Sequence, residues 1–349
     1  MDATPNIKKE TKNRIVVDYE GKLSFRERLK RKLTTSNTWM KVLINVCRFI
    51  LMLGVSYVII YPFISKIANS FMSKEDIVDA TVTFIPKHFT GEIYKYLFTE
   101  NHYMQAFVNT LLLSLLCAVI QTFVACLIGY GLAKFKFKGN KIVSALVIVT
   151  MVIPHSALEI AMLRHFVTFD LFNVISWKWS KGLIELITGS PVSLTGTFWP
   201  LAILSVCGLA FKNGLYIYMM RQFFKGVPDE LEESAYVDGS GVFRTFIQII
   251  LPLSVPMMIT IFLFAFSWQW TDGFYTTLFF TNQTNPVYLM PDVYKTIPKS
   301  LATDFAGTKL YNSVIQNTAG LMIIAPLLVL YLFCQRYLVQ GIERSGLVG

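Results

Sequence analysis

The 349-residue chain reads as an all-α membrane protein, and three observations carry that reading. Its mean hydropathy is +0.50. Hydrophobic residues make up 54% and charged residues only 15%, where a soluble domain carries about 25% charged residues. Six apolar runs reach about 20 residues, the length at which a helix crosses the hydrocarbon core. Basic residues collect on alternate connecting segments, the asymmetry that orients a multi-pass protein. None of the runs has the alternating pattern of a barrel strand.

The predicted spans are 43–65, 106–131, 142–163, 197–219, 253–275 and 318–338. The first contains "VLINVCRFILMLGVSYVIIYPF" and the last "TAGLMIIAPLLVLYLFCQ". Pro62, Pro154, Pro256 and Pro326 fall inside spans, where neighbouring helices can satisfy the freed backbone groups. With a cytoplasmic N-terminus, the inner segments 1–42, 132–141, 220–251 and 336–349 hold 20 basic residues. The outer segments 66–105, 164–196 and 276–317 hold 10. The loop "LAKFKFKGNK" is the clearest signal, with four lysines and no acid. Both termini are expected in the cytoplasm.

This divides the chain into a basic cytoplasmic extension, 1–41, and a six-helix domain, 42–349, with a polar cytoplasmic loop at 226–252. A cleavable signal peptide is not expected, because a mostly polar segment precedes a first run already of span length. The net charge of +10 sits at membrane flanks, which favours lipid headgroups over nucleic acid. "FRERLKRKL" fits an interfacial basic helix, and more readily a solvated positive-inside tail. The five cysteines, Cys47, Cys117, Cys126, Cys207 and Cys334, all lie in apolar runs without CxxC spacing. They read as small buried hydrophobes, so neither a disulfide nor a metal site is indicated.

The polar loop is the most ordered stretch of the sequence: "ELEESAYVDGSGVFRTFIQIILP", Glu230 to Pro252. It predicts two short helices joined at a corner. Pro228 suits a first helical turn, and Asp229, Glu230, Glu232 and Glu233 place negative charge at the positive end of the helix dipole. Gly239 supplies the left-handed reversal. Val242, Phe246, Ile249 and Ile250 recur at helical spacing as an apolar stripe, and Leu251-Pro252 leads into the fifth span. The small Ser234 and Ala235 leave room for a partner to approach.

Glu233-Ser234-Ala235, three residues, Gly239, nine residues, Ile249, one residue and Leu251-Pro252 stand in a fixed register. That register resembles the signature of the permease subunits of binding-protein-dependent ABC importers, with Ser234 where the family usually has Ala. "YMMRQFFKGVPDELEESAYVDGSG", "FSWQWTDGFY" and "QRYLVQGIERSGLVG" resemble its carbohydrate-type branch, which includes the smaller permease subunit of the maltose importer. Thr271 stands where the branch usually has Asn. The likeness covers roughly residues 40–349, and the first 40 residues and about 174–195 look like additions.

The resemblance implies a type I importer permease fold and a chain that is not an enzyme. In the family the elbow docks into a cleft of a cytoplasmic ATPase. Glu230 and Glu233 would then meet basic groups, Val242, Phe246 and Ile249 would bury against the partner, and Gly239 would fix the angle. A second permease subunit, two ATPase copies and an extracytoplasmic solute-binding protein are the implied partners, in a bacterial cell membrane. The sequence holds no GxxxxGK[ST], HExxH or GxSxG motif, so no cofactor is expected in this chain. ATP and Mg2+ belong to the ATPase. The tail from Gly341 to Gly349 resembles one that reaches toward the ATPase pair, and the outer loop 276–317 sits where relatives contact the binding protein.

Candidates for a sugar path are Asn109, Gln121, Tyr216, Tyr218, Trp268, Gln269, Trp270 and Asp272. Each has a plainer reading: an interfacial belt for the tryptophans, helix–helix hydrogen bonds for Asn109 and Gln121. Lys212 interrupts the fourth span and fits either a path-lining charge or one that snorkels to the surface. His155 and Glu159, four apart, fit a pair near the outer mouth. Two other cargo and mechanism classes stay open on sequence grounds: an importer for amino acids, peptides or ions, and a stand-alone secondary transporter. The second would show matching inverted halves, which the sequence lacks.

Overall fold

The computed structural model describes residues 8–10, 16–18, 36–170, 183–280, 287–302, 304–305 and 307–346. At 8–10, 16–18, 36–38, 183, 186, 188 and 338–346 it describes the backbone alone. The basic "FRERLKRKL" segment and residues 174–182 of the 174–195 addition lie outside the described residues. The chain divides into two compact units, Met1–Ser65 and Lys66–Gly349.

In the first unit, β1 (Lys8–Glu10) pairs antiparallel with β2 (Val16–Asp18), Lys8 opposite Asp18. Apart from this short ladder the elements are helical, as expected. α1 (Ser36–Asn69) carries Pro62 inside it and runs through the boundary expected at 41/42.

The second unit continues with α2 (Lys74–Val78), α3 (Glu92–Thr99), α4 (Tyr103–Lys134) and α5 (Asn140–Val152). A 3-10 turn at His155–Leu158 leads into α6 (Glu159–Val167). Then come α7 (Leu183–Thr188), α8 (Trp199–Val206), α9 (Asn213–Lys225), α10 (Glu230–Val237) and α11 (Val242–Thr245). α11 passes through a π-helical turn, Phe246–Ile250, into α12 (Leu251–Trp270). α13 (Phe274–Phe279), α14 (Met290–Lys295) and α15 (Thr308–Gly346) complete the chain.

Among the described residues, four helical stretches are long and apolar enough to cross a membrane: Trp39–Asn69, Tyr103–Lys134, Val242–Trp270 and Thr308–Tyr337. Four of the six expected spans are single helices, and the third and fourth are interrupted. The third is two helices bent by 95° at Pro154. Ile153 is extended, with ψ of 120°, because a proline ring crowds the helical conformation of the residue before it. The fourth is interrupted between α8 and α9. α8 ends where Gly208 takes φ of +73°, and the N–H groups of Leu209 and Ala210 fold back onto Leu204 O at 2.9 and 3.0 Å. That closure satisfies the last carbonyls of the helix. The chain re-enters helix only after Lys212, itself left-handed at φ of +65°.

α4 is the centre of the packing, with α9 and α12 laid against it. Ala118, Ala125 and Cys126 on α4 are fully buried, and such small residues let helices approach closely where lipid offers no hydrophobic drive. Gly129 is required rather than merely tolerated. A Cβ there would lie 2.5 Å from the Met220 Cβ of α9. α12 is fixed to α15 by the Trp270 indole, which donates from Nε1 to Ile323 O at 3.0 Å.

Candidate functional site

The polar loop folds as the two-helix corner its sequence predicts. α10 starts after Asp229, which takes the N-cap position without a side-chain capping bond, and Glu230, Glu232 and Glu233 fill its first turn. Pro228 precedes the cap instead of entering the helix. The corner is Gly239, with φ of +83°. Its N–H reaches Tyr236 O at 3.0 Å, and the Ser240 N–H reaches Ala235 O at 2.9 Å. A Cβ at Gly239 would meet open space, so the glycine serves the backbone dihedral and not a close contact.

Burial sorts the loop residues into two sets. Glu230, Glu233, Ser234, Gly239, Val242 and Pro252 are exposed, whereas Ile249 and Leu251 are half-buried. Ala235 and Phe246 are buried within the chain, which corrects their expected role in receiving a partner. The Phe246 ring lies 4.8 Å from that of Tyr130, which packs edge-on to Phe224 at 5.4 Å. The stripe thus splits: Phe246 and Ile250 anchor the elbow to its own helices. The outward apolar face is made instead by Leu231, Val237, Val242, Phe243 and Ile247. Val237 is 87% and Phe243 74% exposed.

The elbow is continuous with the fifth span. Pro252 has no N–H to give and its ring crowds the carbonyl four residues back. The Leu251 N–H reaches back five residues to Phe246 O, and the helix passes the proline through this π turn without ending. The other half is tied to the second span by Lys134, the last residue of α4. Its ammonium, on a side chain only 7% exposed, donates to Val227 O at 2.6 Å and Asp229 Oδ1 at 2.5 Å. Glu232 Oε1 lies 3.8 Å away. Burial pushes the Glu232 carboxyl above the usual carboxylate range, against the pull of the Lys134 charge. The bond from Lys134, with its charge, holds Asp229 below that range.

The two broken spans meet in a cavity of about 270 Å3. Pro154 and His155 from the first break and Gly208, Phe211 and Lys212 from the second line it. The Lys212 ammonium lies 4.9 Å from the Phe211 ring centre and 5.2 Å from that of Trp268. Among the described residues no ion pair includes Lys212. At about 1.5 Å rise per residue, α8 supplies about 12 Å of helix on one side and α9 about 20 Å on the other. Lys212 is exposed, and its left-handed backbone costs about 1 kcal/mol. Contact with aromatic faces returns about 1–2 kcal/mol.

The remaining candidates divide clearly. Trp270 is buried against α15 and belongs neither to an interfacial belt nor to an open path. Tyr216 is buried in the core, Tyr218 is exposed, and Gln269 is buried with Nε2 unpaired. Gln121 donates to Ser205 Oγ at 3.3 Å, joining α4 to α8 as weighed for it, whereas Asn109 donates to Tyr288 O at 3.0 Å in the segment before α14. Asp272 accepts from the N–H groups of Phe274, Tyr275 and Thr276 and caps α13. His155 and Glu159 do not share a helix face, because His155 opens the 3-10 turn and Glu159 begins α6. The His155 Nδ1 instead meets Tyr275 OH at 2.5 Å. Of the predicted path residues, Lys212 and Trp268 are brought together. Around them, Phe211 and Tyr275 were legible only as apolar positions, and His155 only as a partner for Glu159.

Residues 121–344 match the model of the binding-protein-dependent transport system inner membrane component family. The chain belongs to that family. It is 27% identical over 319 residues to the maltodextrin transport system permease protein MalD of Streptococcus pneumoniae, covering 91% of this chain and 97% of that relative. It is 26% identical over 307 residues to the galactooligosaccharides transport system permease protein GanQ of Bacillus subtilis, covering 86% and 94%. A subunit in the crystal structure of a bacterial ABC transporter that imports alginate superposes with a TM-score of 0.63 at 18% identity, over 91% of this chain and 99% of that one. At that identity the superposition bears on the fold, which is that of an importer permease.

Proposed function

We propose that this chain is one of two permease subunits of an oligosaccharide importer in a bacterial inner membrane. A solute-binding protein hands over the sugar on the outside. A separate pair of ATPase subunits, which hold the ATP and Mg2+, drives alternating access from the inside. One observation carries the reading: an exposed elbow bearing the acids Glu230 and Glu233, which have no ion-pair partner among the described residues, beside an apolar face and continuous with a helix long enough to span a membrane. Such a surface suits a basic, grooved partner, and its continuity turns a push on the elbow into movement of α12. The sugar assignment is supported by relatives whose names specify maltodextrin and galactooligosaccharides and which align along most of the chain. Lys212 and Trp268 are the residues of the path.

The test is uptake of labelled maltodextrins and galactooligosaccharides by cells that carry the assembled importer. Glu233→Lys reverses a charge on the docking face, and Gly239→Asp strains the corner by about 1 kcal/mol while adding charge. Both are expected to abolish uptake with the chain still in the membrane. Gly239→Asn, which tolerates the left-handed region, should retain most of it. Wild-type uptake in both variants, or labelling that places Glu233 outside the cell, would overturn the assignment.

A further inference from the structure

We propose that the cavity between the two broken spans binds an acidic group of the cargo, a sugar carboxylate, with Lys212 as its counter-ion. The inference rests on the reading of this chain as a sugar permease and narrows its substrate class to uronate-bearing oligosaccharides.

Four features converge on it. Lys212 is a cation that interrupts an apolar stretch of sequence, at the break between α8 and α9, where an intramembrane charge is kept for a partner or a pathway. Among the described residues it has no acidic partner. It lines a cavity large enough to admit a ligand group, and its ammonium sits over the faces of Phe211 and Trp268, the surfaces on which a sugar ring stacks. Finally, the site is a helix restart. Lys212 is the N-cap of the 13-residue α9, which has no side-chain cap. Gly214 and Leu215, in its first turn, line the same cavity. The positive end of a half-helix and a lysine beside it form an anion site, as discontinuous spans do elsewhere.

The neighbouring groups leave the positive charge uncancelled. Asp272, just beyond α12, has three N–H groups of α13 on its oxygens. The His155 Nδ1 is engaged with Tyr275. Lys212 also holds φ of +65°, a conformation a non-glycine residue keeps only where the surroundings impose it. A glycine would be easier there, and lysine is what stands.

The test uses the complete importer in proteoliposomes with its solute-binding protein, offered maltotriose and trigalacturonate as probes. Wild type is expected to accumulate trigalacturonate. In Lys212→Gln the ratio of trigalacturonate to maltotriose uptake should fall about tenfold, the scale of one charge-assisted hydrogen bond. Lys212→Arg should keep the ratio. Lys212→Gly, which relaxes the backbone while removing the charge, should fall like the glutamine variant, separating loss of charge from loss of folding. Wild type that carries maltotriose alone would overturn the inference and leave the sugar reading standing. Equal loss of both probes in Lys212→Gln would also overturn it, since the lysine would then be holding a carboxylate of the second permease. Uptake of neither probe by wild type would remove the sugar reading and this inference with it.

Discussion

Lys134→Met offers the sharpest test of how the elbow is held. Methionine keeps the length of the side chain and most of its packing but removes the ammonium. Three acceptors are affected unequally. Asp229 is exposed and turns to water with little loss. Val227 O loses a charged donor at 2.6 Å, and the buried Glu232 is left without its cation. Removing one charged hydrogen bond and stranding one partly buried carboxylate costs about 2 kcal/mol of local stability. Nothing comparable is lost elsewhere in α4, so the cost falls on the link between α4 and α10.

The measurement is hydrogen exchange of amides 229–240 in the assembled importer held in nanodiscs. A 2 kcal/mol loss raises their exchange about 30-fold, with the buried amides of α4 unchanged. A pH dependence accompanies it. The folded-state pKa of Glu232 is raised by burial, so its contribution to stability is greatest below the unfolded carboxylate range and declines as pH rises through the raised value. Without Lys134 that value rises further, and the excess exchange should shrink as the pH is lowered. Glu232→Gln in the Lys134→Met background should recover most of the protection, a coupling that a double-mutant cycle isolates. Unchanged exchange in Lys134→Met, or no recovery in the double variant, would refute the clamp.

Two further outcomes follow from the packing. Gly129→Val places a branched side chain where even a Cβ would lie 2.5 Å from that of Met220. Pushing α4 and α9 apart should cost about 1–3 kcal/mol, read as a lower melting temperature of the detergent-solubilised complex. Trp270→Phe removes the donor to Ile323 O and should cost about 1 kcal/mol in the same assay. The relative uptake of different sugars should stay as it was, because the ring is buried away from the cavity.

Much of this architecture was legible in the residues because its signals are local. Span length, charge depletion and the Gly239 corner each depend on a few neighbouring positions, and the backbone obeys them. Sequence reading failed where a distant partner decides. Lys134 is one of four lysines in a short loop and counts there only toward topology. Its true neighbour, Asp229, lies 95 residues away, and no pattern within the loop distinguishes the buried lysine from the exposed ones. Phe246 shares the helical spacing of Val242, so periodicity put both on one face. Tyr130 then claims Phe246 and leaves Val242 outside. At the fourth span a hydropathy window runs smoothly over Cys207–Lys212, since Gly208 and Lys212 alter dihedrals without lowering the average enough to end the run. The warning was present in Lys212 itself.

The two attachments of the elbow bear on how the molecule moves. If α10 were free and α11 hinged at Pro252, a push on Glu233 would be dissipated in the loop. Neither condition holds. The π turn carries the helix through Pro252, and Lys134 binds α10 to α4, so the elbow, α4 and α12 form one block. The Gly129–Met220 contact adds α9 to it. The block ends where regular helical hydrogen bonding ends, at the bend after Val152 and the interruption before Asn213. Both interruptions line the cavity that holds Lys212. A displacement that begins at the elbow is therefore resisted along three packed helices and is released at the breaks, beside the charge best placed to feel what occupies the cavity.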